Sequence, residues 1–377
     1  MTGRIGYFVH HQGRGHAERA AAIVHALAPG TSVTLFCARP DILPPLPASA
    51  EVIAIPSLFE APEDAPAELA QARTPAVLHC APLGWRTITD AVATIAGWFR
   101  DARPALFITD VSAELALLAR IASVPCVTVL QHGDRADPGH IAAYESAVGI
   151  LAPYHVDLEQ PERPAWMRDR IAHFGGLGVK AGAIDRAAAR RRLGLAPDAE
   201  IVTVVAGGGG DGTPLAPLTL GARAEPDSLW LTIGAVAKDW HATVPGNLRQ
   251  IGWVDDPADW IAAADRVVSS TGNTTVHMVA AAGRPWIVVP EWRYFDEQLA
   301  KARALAAAGA AVALDHWPGH VDGWREAWIA AADLDPATQR RLVDGDAPRQ
   351  AADWLRGLAA LSDDAPVDTR IIAEIIA

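Results

Sequence analysis

Along the chain, short runs of Val, Ile, Leu and Phe alternate with alanine-rich stretches in which apolar residues recur at helical spacing. Apolar runs of four to six residues set between such helices are the pattern of parallel strands covered on both faces. The pattern predicts strands over 5–9, 33–36, 52–55, 106–109, 126–130 and 148–151, with helices over 17–27, 88–99 and 113–121. A second set of strands is predicted over 201–205, 229–233, 249–252, 267–269, 287–289 and 311–314, and closing helices over 323–332, 336–343 and 350–358. Between the sets, Phe174-Gly175-Gly176-Leu177-Gly178 and the charged stretch to Pro197 read as a connector with one short helix near 186–193. The expectation is two α/β domains of similar size, 1–173 and 199–360, joined by a linker at 174–198 and followed by a tail at 361–377. The Pro-rich segment 40–82 interrupts the first set, and long irregular stretches in compact domains are often binding loops.

Composition narrows the function classes. Half of the 377 residues are hydrophobic and 20% are charged, enough for sizeable cores. The formal charge of −12 repels nucleic-acid backbones and anionic lipid, and no cluster of Lys and Arg reverses that field. Cys37, Cys80 and Cys126 are scattered, which fits a reducing, cytoplasmic setting better than a disulfide scaffold. The first apolar run is too short for a signal peptide, and no run reaches the ~18 residues of a membrane span. A soluble α/β enzyme that does not bind nucleic acid is therefore expected.

Three glycine-containing loops follow predicted strands. The first, His10-His11-Gln12-Gly13-Arg14-Gly15-His16, opens a helix, where free backbone N–H groups admit an anion or a polar ligand. The third glycine of a dinucleotide fingerprint is missing, so NAD binding is a weak reading. The second, Gly207-Gly208-Gly209-Gly210-Asp211-Gly212-Thr213, nearly fits a P-loop, but Thr213 stands where the phosphate-binding Lys belongs. The third, Ser269-Ser270-Thr271-Gly272-Asn273-Thr274-Thr275, gathers hydroxyls and N–H groups at a helix start, which suits a diphosphate.

In order along the chain, these and further fragments resemble the GT-B-fold glycosyltransferases, in particular the branch of MurG and the UDP-glycosyltransferases with its family-28 C-terminal region. The fragment Gly13-Arg14-Gly15-His16-Ala17-Glu18-Arg19 resembles the N-terminal glycine loop and its following His. Leu106-Phe107-Ile108-Thr109-Asp110, with Ala119 and Pro125 after it, resembles the "D…A…GVP" block. The C-terminal match is the most specific, comprising Gly252-Trp253-Val254-Asp255-Asp256, Ala264-Asp265, Ser270-Thr271-Gly272, Ala280-Ala281-Ala282-Gly283-Arg284-Pro285 and Pro290. Behind it, Asp296-Glu297-Gln298 with Lys301-Ala302 resembles the terminal acidic-Gln pair of the donor motif and its "NA".

The resemblance implies two Rossmann-like domains facing across a cleft, the first holding an acceptor and the second a nucleotide-sugar. It also implies transfer with inversion, no essential metal, and no cofactor beyond the nucleotide-sugar co-substrate. Trp253 and Val254 would then flank the base. Ser270, Thr271, Gly272, Asn273 and Thr274 would hold the diphosphate with Gly208, Gly209 and Gly210 nearby, and Glu297 and Gln298 the sugar hydroxyls. The family commonly carries a ribose-binding Glu where this chain has Met278, which cannot accept those hydrogen bonds. A dTDP-sugar therefore stands beside a UDP-sugar as donor. His277 should point off that helix face.

Inverting transfer needs a base for the acceptor hydroxyl, and an imidazole with its ordinary pKa of about 6.5 suits the task. His16 is the candidate base, with Asp110 as its orienting partner, and the plain alternative is that both merely cap local structure. Gly13, Gly15, His132 and Trp292 are candidates for the acceptor side or the cleft, and the acceptor is expected to be a small-molecule or glycan hydroxyl. His10 and His11, leaving a strand next to each other, should point oppositely and hold no metal with His16. Asp333-Leu334-Asp335 and Asp344-Gly345-Asp346 read as helix caps and turns. A nucleotide-sugar hydrolase or epimerase of the same fold, or a non-catalytic binding homologue, are the alternatives.

Overall fold

The structure is a computed structural model; it describes residues 3–28, 30–69, 71–179, 185–207, 212–237 and 243–364. The first domain is built on a parallel seven-stranded sheet: β1 (Ile5–Val9), β2 (Val33–Cys37), β3 (Ala50–Ala54), β4 (Leu106–Asp110), β5 (Cys126–Val129), β6 (Gly149–Ala152) and β7 (Ile171–His173). Its strand order is β3-β2-β1-β4-β5-β6-β7. Five of these strands (β1, β2, β4, β5 and β6) are buried along their whole length, which is why they read as unbroken apolar runs rather than alternating ones.

The second domain repeats the plan with β8 (Glu200–Val205), β10 (Ser228–Ile233), β12 (Leu248–Gly252), β13 (Arg266–Ser269), β14 (Trp286–Val288) and β15 (Val312–Ala313). The order here is β12-β10-β8-β13-β14-β15, and two-residue strands β9 (Thr213–Pro214) and β11 (Val236–Ala237) pair beside it. Each sheet therefore reverses its winding once, between β1 and β4 in the first domain and between β8 and β13 in the second. Ligands of open α/β sheets bind at that reversal, outside the carboxyl ends of the strands. The first and third glycine loops leave β1 and β13 at these points, and the second leaves β8.

All twelve predicted strands are present. β7 and the β9–β11 pair were not anticipated; each is only two or three residues long and offers no periodicity to read. The first helix, Arg14–Leu27, begins within the glycine loop rather than after it, with Gly13 as its N-cap at φ +96°. The acidic-Gln pair itself opens a further helix, Glu297–Ala307, which the sequence pattern does not predict.

The final helix, Ala347–Asp364, departs from the domain division expected from the sequence. Its residues Ala347, Ala351, Ala352, Leu355 and Ala359 are buried in the core of the first domain, among Ile23, Leu27 and Leu151. The Trp354 ring packs tilted against Phe174 at 5.7 Å, and Arg356 donates to the Ala26 carbonyl at 2.7 Å. Spacing of four and three residues puts these small side chains on one stripe, so the helix can lie close along Arg14–Leu27.

Candidate active site

A cleft of about 1060 Å³ opens between the carboxyl ends of the two sheets and is lined by both domains. His16 stands on the first turn after β1, and Asp110 ends β4, the neighbouring strand in register. Adjacent strands thus bring together side chains 94 residues apart, with His16 Nδ1 at 3.0 Å from Asp110 Oδ1. A carboxylate only accepts, so Nδ1 carries the proton and the Nε2 lone pair is left for chemistry.

Arg19, one helical turn beyond His16, completes the group. Its Nη2 donates to both Asp110 oxygens at 2.7 Å, and both side chains are buried. Those contacts use both Nη2 protons, so the 2.9 Å approach of Nη2 to His16 Nδ1 places two donors side by side on one carboxylate. Burial alone would raise the Asp110 pKa, but Arg19 first and then His16 outweigh it and hold the carboxyl far below its usual range. The i,i+3 spacing of His16 and Arg19 was visible in the sequence, but nothing there showed that Arg19 turns inward.

His10 and His11 do not diverge as strand alternation predicted. Their rings stack at 5.5 Å, with His10 against Phe59 at 4.5 Å and 5.2 Å from His16. β1 ends at Val9, so alternation stops one residue before them. Burial first, then the neighbouring His16, lowers His10 to about 3, so its ring is neutral.

Across the cleft, the helix Asn273–Ala282 starts at β13 with Gly272 as N-cap and no side chain capping it. Ser270, Gly272, Asn273 and Thr274 line the cleft, together with Thr275, Met278 and Gln298. Thr271 does not; its N–H and hydroxyl donate to Gln298 Oε1 at 3.2 Å and Gln298 O at 2.7 Å. Gln298 Oε1 also accepts from Glu291 N at 2.9 Å, so the amide NH2 is the end that Gln298 can offer to a ligand. Asn273 uses both ends of its amide, donating to the Pro153 carbonyl at 2.8 Å and accepting from Lys301 at 2.9 Å. Trp253 and Val254 line the cleft, Trp253 largely exposed. Gly208, Gly209 and Gly210 lie outside the described residues.

The two domains touch beside Glu297. Phe295 and Asp296 both have positive φ, and the Phe295 carbonyl accepts from Asp134 N at 2.7 Å. Gly133, at φ +106°, makes this possible, because a Cβ there would sit 2.3 Å from the Phe295 oxygen. Arg135, buried beneath, donates to Glu297 Oε2 at 3.2 Å and to Gln131 Oε1 at 2.5 Å. His132, buried in the cleft wall, donates from Nε2 to the Leu158 carbonyl at 2.7 Å, and its Nδ1 has no hydrogen-bond partner among the described residues. Trp292 is not among the cleft-lining residues; it is 74% exposed, with its ring against Tyr294 at 4.9 Å. His277 is fully buried and accepts from Gly176 N at 3.3 Å, pointing away from the cleft as its helix position predicted.

Among the described residues, His79, Asp137 and His140 can converge three metal-ligand atoms. Arg135 Nη1 lies 3.3 Å from His140 Nε2, which must then accept, so Nδ1 keeps its proton for Asp137 Oδ2 at 2.5 Å. A metal on Nδ1 would leave an N–H on Nε2 facing a guanidinium N–H, the reverse of the usual outer shell of a ligating histidine. His140 and Asp137 are thus accounted for by hydrogen bonds, and His79 packs on the His140 ring at 4.1 Å with its Nδ1 3.6 Å from Asp137 Oδ1. The two Asp-x-Asp strings also act locally, Asp335 accepting from Ala337 N at 2.9 Å and Asp344 from Asp346 N at 2.8 Å.

No protein-family model matches the chain. A UDP-N-acetylglucosamine–N-acetylmuramyl-(pentapeptide) pyrophosphoryl-undecaprenol N-acetylglucosamine transferase from Sorangium cellulosum is 34% identical over 117 residues, 30% of this chain and 28% of that protein. The first such relatives are thus matched over about a third of their length or less. A protein of the same description from Cutibacterium acnes is 28% identical over 362 residues, 88% of this chain and 83% of its own. Among solved structures, MurG of Acinetobacter baumannii overlays with TM-score 0.59 at 15% identity, covering 94% of this chain and 99% of its own. A spinosyn rhamnosyltransferase complexed with thymidine diphosphate gives 0.59 at 19% identity, over 95% and 98%. The Arabidopsis thaliana protein UGT89C1, complexed with quercetin, gives 0.70 at 15% identity, over 95% and 100%.

Proposed function

The chain has the GT-B glycosyltransferase fold, and on that premise we propose that it transfers a sugar from a UDP- or dTDP-sugar to a hydroxyl acceptor, with inversion and without a metal. One observation carries the reading: a histidine whose Nε2 lone pair is free and an uncapped helix start with hydroxyls face each other across one cleft. His16 takes the acceptor proton as its oxygen attacks the anomeric carbon, and Asp110 stabilises the imidazolium that forms. The helix start at residues 272–275 receives the departing diphosphate. The NH2 of Gln298 and the carboxylate of Glu297, held by Arg135, address the sugar hydroxyls. Gly13, Gly15 and His132 border the acceptor half, and the protein works in the cytoplasm.

Met278 offers the donor ribose no acceptor, which is the support for admitting a dTDP-sugar beside a UDP-sugar. The test is calorimetric titration with UDP, dTDP, GDP and ADP, followed by turnover of His16→Ala at saturating donor. Binding of a uracil or thymine diphosphate and a loss of at least about 100-fold in turnover are expected. Turnover within a few-fold of wild type at unchanged donor binding overturns the base assignment. No nucleotide binding would favour a non-catalytic homologue, and release of free sugar without acceptor a hydrolase.

A further inference from the structure

Lys301 is 3% exposed, yet it lines the cleft. It sits one turn after Glu297 on the Glu297–Ala307 helix, and its Nζ donates to Asn273 Oδ1 at 2.9 Å. Asn273 is the first residue of its helix, so this contact brings an ammonium to a helix end that already carries positive partial charge. Among the described residues the anion acting on it is Glu297, whose carboxylate is engaged by Arg135; Arg19 and Arg135 add positive potential. Burial first, then those guanidinia, lowers Lys301 to about 8. The neutral rings of His132 and His277 also face it, each held neutral by burial and by this same ammonium.

An ammonium has three donors, and among the described residues only one finds an acceptor. A second, independent observation lies alongside: the Ser270 hydroxyl, buried at 4% exposure in the same cleft wall, has no hydrogen-bond partner among the described residues. Buried donors left over at an uncapped helix start describe a site for a multiply charged oxyanion.

We propose that Lys301 is the cation that receives the departing diphosphate, binding its phosphate oxygens together with the Ser270 hydroxyl and the N–H groups at the start of the Asn273–Ala282 helix. This deepens the glycosyl-transfer reading and rests on it. As the bond between the anomeric carbon and the diphosphate oxygen breaks, its electron pair stays on that oxygen, and the ammonium neutralises the charge gained. The new bond forms from the acceptor oxygen, whose proton goes to His16. The side chain thereby supplies, without a metal, the charge that a divalent cation supplies at other diphosphate sites.

The experiment is calorimetry of wild type and Lys301→Met with UDP, dTDP, uridine, thymidine and inorganic pyrophosphate at pH 7.0 and 8.5. The substitution should weaken the nucleoside diphosphates and pyrophosphate at least about ten-fold and leave the nucleosides unchanged. Wild-type affinity for the diphosphates should fall between the two pH values, and that of Lys301→Met should not. Affinities within two-fold of wild type overturn the proposal. Pyrophosphate bound through Lys301 with neither nucleotide bound would keep the anion site and discard the transferase reading. Wild-type binding of none of these probes discards both. Should Lys301→Met fail to fold, Lys301→Gln and the wild-type pH comparison carry the same decision.

Discussion

A Cβ on Gly15 would stand 2.9 Å from the Thr274 hydroxyl, so the glycine loop of the first domain rests directly on the helix start of the second. Contacts that close cannot absorb a methyl group unless the neighbour moves. Gly15→Ala should therefore raise the donor KM about ten-fold by displacing Thr274. Adding the same change to Thr274→Ala should cost little more, because the colliding hydroxyl is gone. Steady-state kinetics of the four-member cycle checks this, and full additivity would refute it.

Asp110 and Arg19 form a buried ion pair, and removing one charge strands the other. Asp110→Asn should lose about 3–5 kcal/mol of unfolding free energy, whereas His16→Ala should lose under about 1 kcal/mol. Urea unfolding of both variants gives the comparison. Equal destabilisation would mean that Arg19 finds another partner.

Acid should weaken the fold before most carboxylates titrate. His10 and His277 are lowered by burial to about 3, and His140 by burial to about 4. In the unfolded chain each titrates near 6.5, so between about 6.5 and those folded values the unfolded state binds more protons. Stability is then lost as pH falls through that window, by up to about 1.4 kcal/mol per pH unit per group. Urea midpoints at pH 7.5, 6.0 and 5.0 should fall steadily; a flat profile down to pH 5.0 would contradict it.

Met278→Glu places a carboxylate on the cleft-facing side of its helix. The ratio of dTDP to UDP dissociation constants should rise about ten-fold, since UDP offers the new acceptor a 2′-hydroxyl that dTDP lacks. Competition calorimetry measures it, and an unchanged ratio would show that residue 278 does not meet the ribose.

Turnover should persist in excess EDTA. Loss on chelation with recovery on adding Mg²⁺ or Mn²⁺ would assign the diphosphate charge to an ion in place of side chains and helix dipole.

Both sheets were legible because buried parallel strands leave contiguous apolar runs, and the glycine loops marked where each sheet reverses. His16 and Asp110 could be paired from sequence because each lies at the carboxyl end of a strand. Arg19, Arg135 and Lys301 could not, because a basic side chain on a helix or in a loop looks the same in sequence whether it faces water or a buried carboxylate. Thr271 sits in the middle of the hydroxyl-rich loop, but its orientation depends on Gln298, 27 residues later. The last helix reads in sequence as part of the nearer domain because its small-residue stripe does not encode which partner it meets.

That helix makes the chain a closed circuit. The polypeptide leaves the first domain once, builds the second, and returns to finish the core it started from, so the second domain is topologically an insertion. Because the last helix is buried in the core of the first domain, the second domain is held at its carboxyl end as well as its amino end, which favours reproducible opening and closing of the cleft over free swivelling. Dissection follows the same logic. A fragment ending after the connector lacks a wall of its own core, and one confined to residues 199–346 loses the helix Arg186–Leu193, whose Ala189 packs with Ala262 and Ala263 and whose Arg190 pairs with Asp265 at 2.6 Å; Leu355→Ala should loosen the amino-terminal domain by about 2–5 kcal/mol from a site near the other end of the chain.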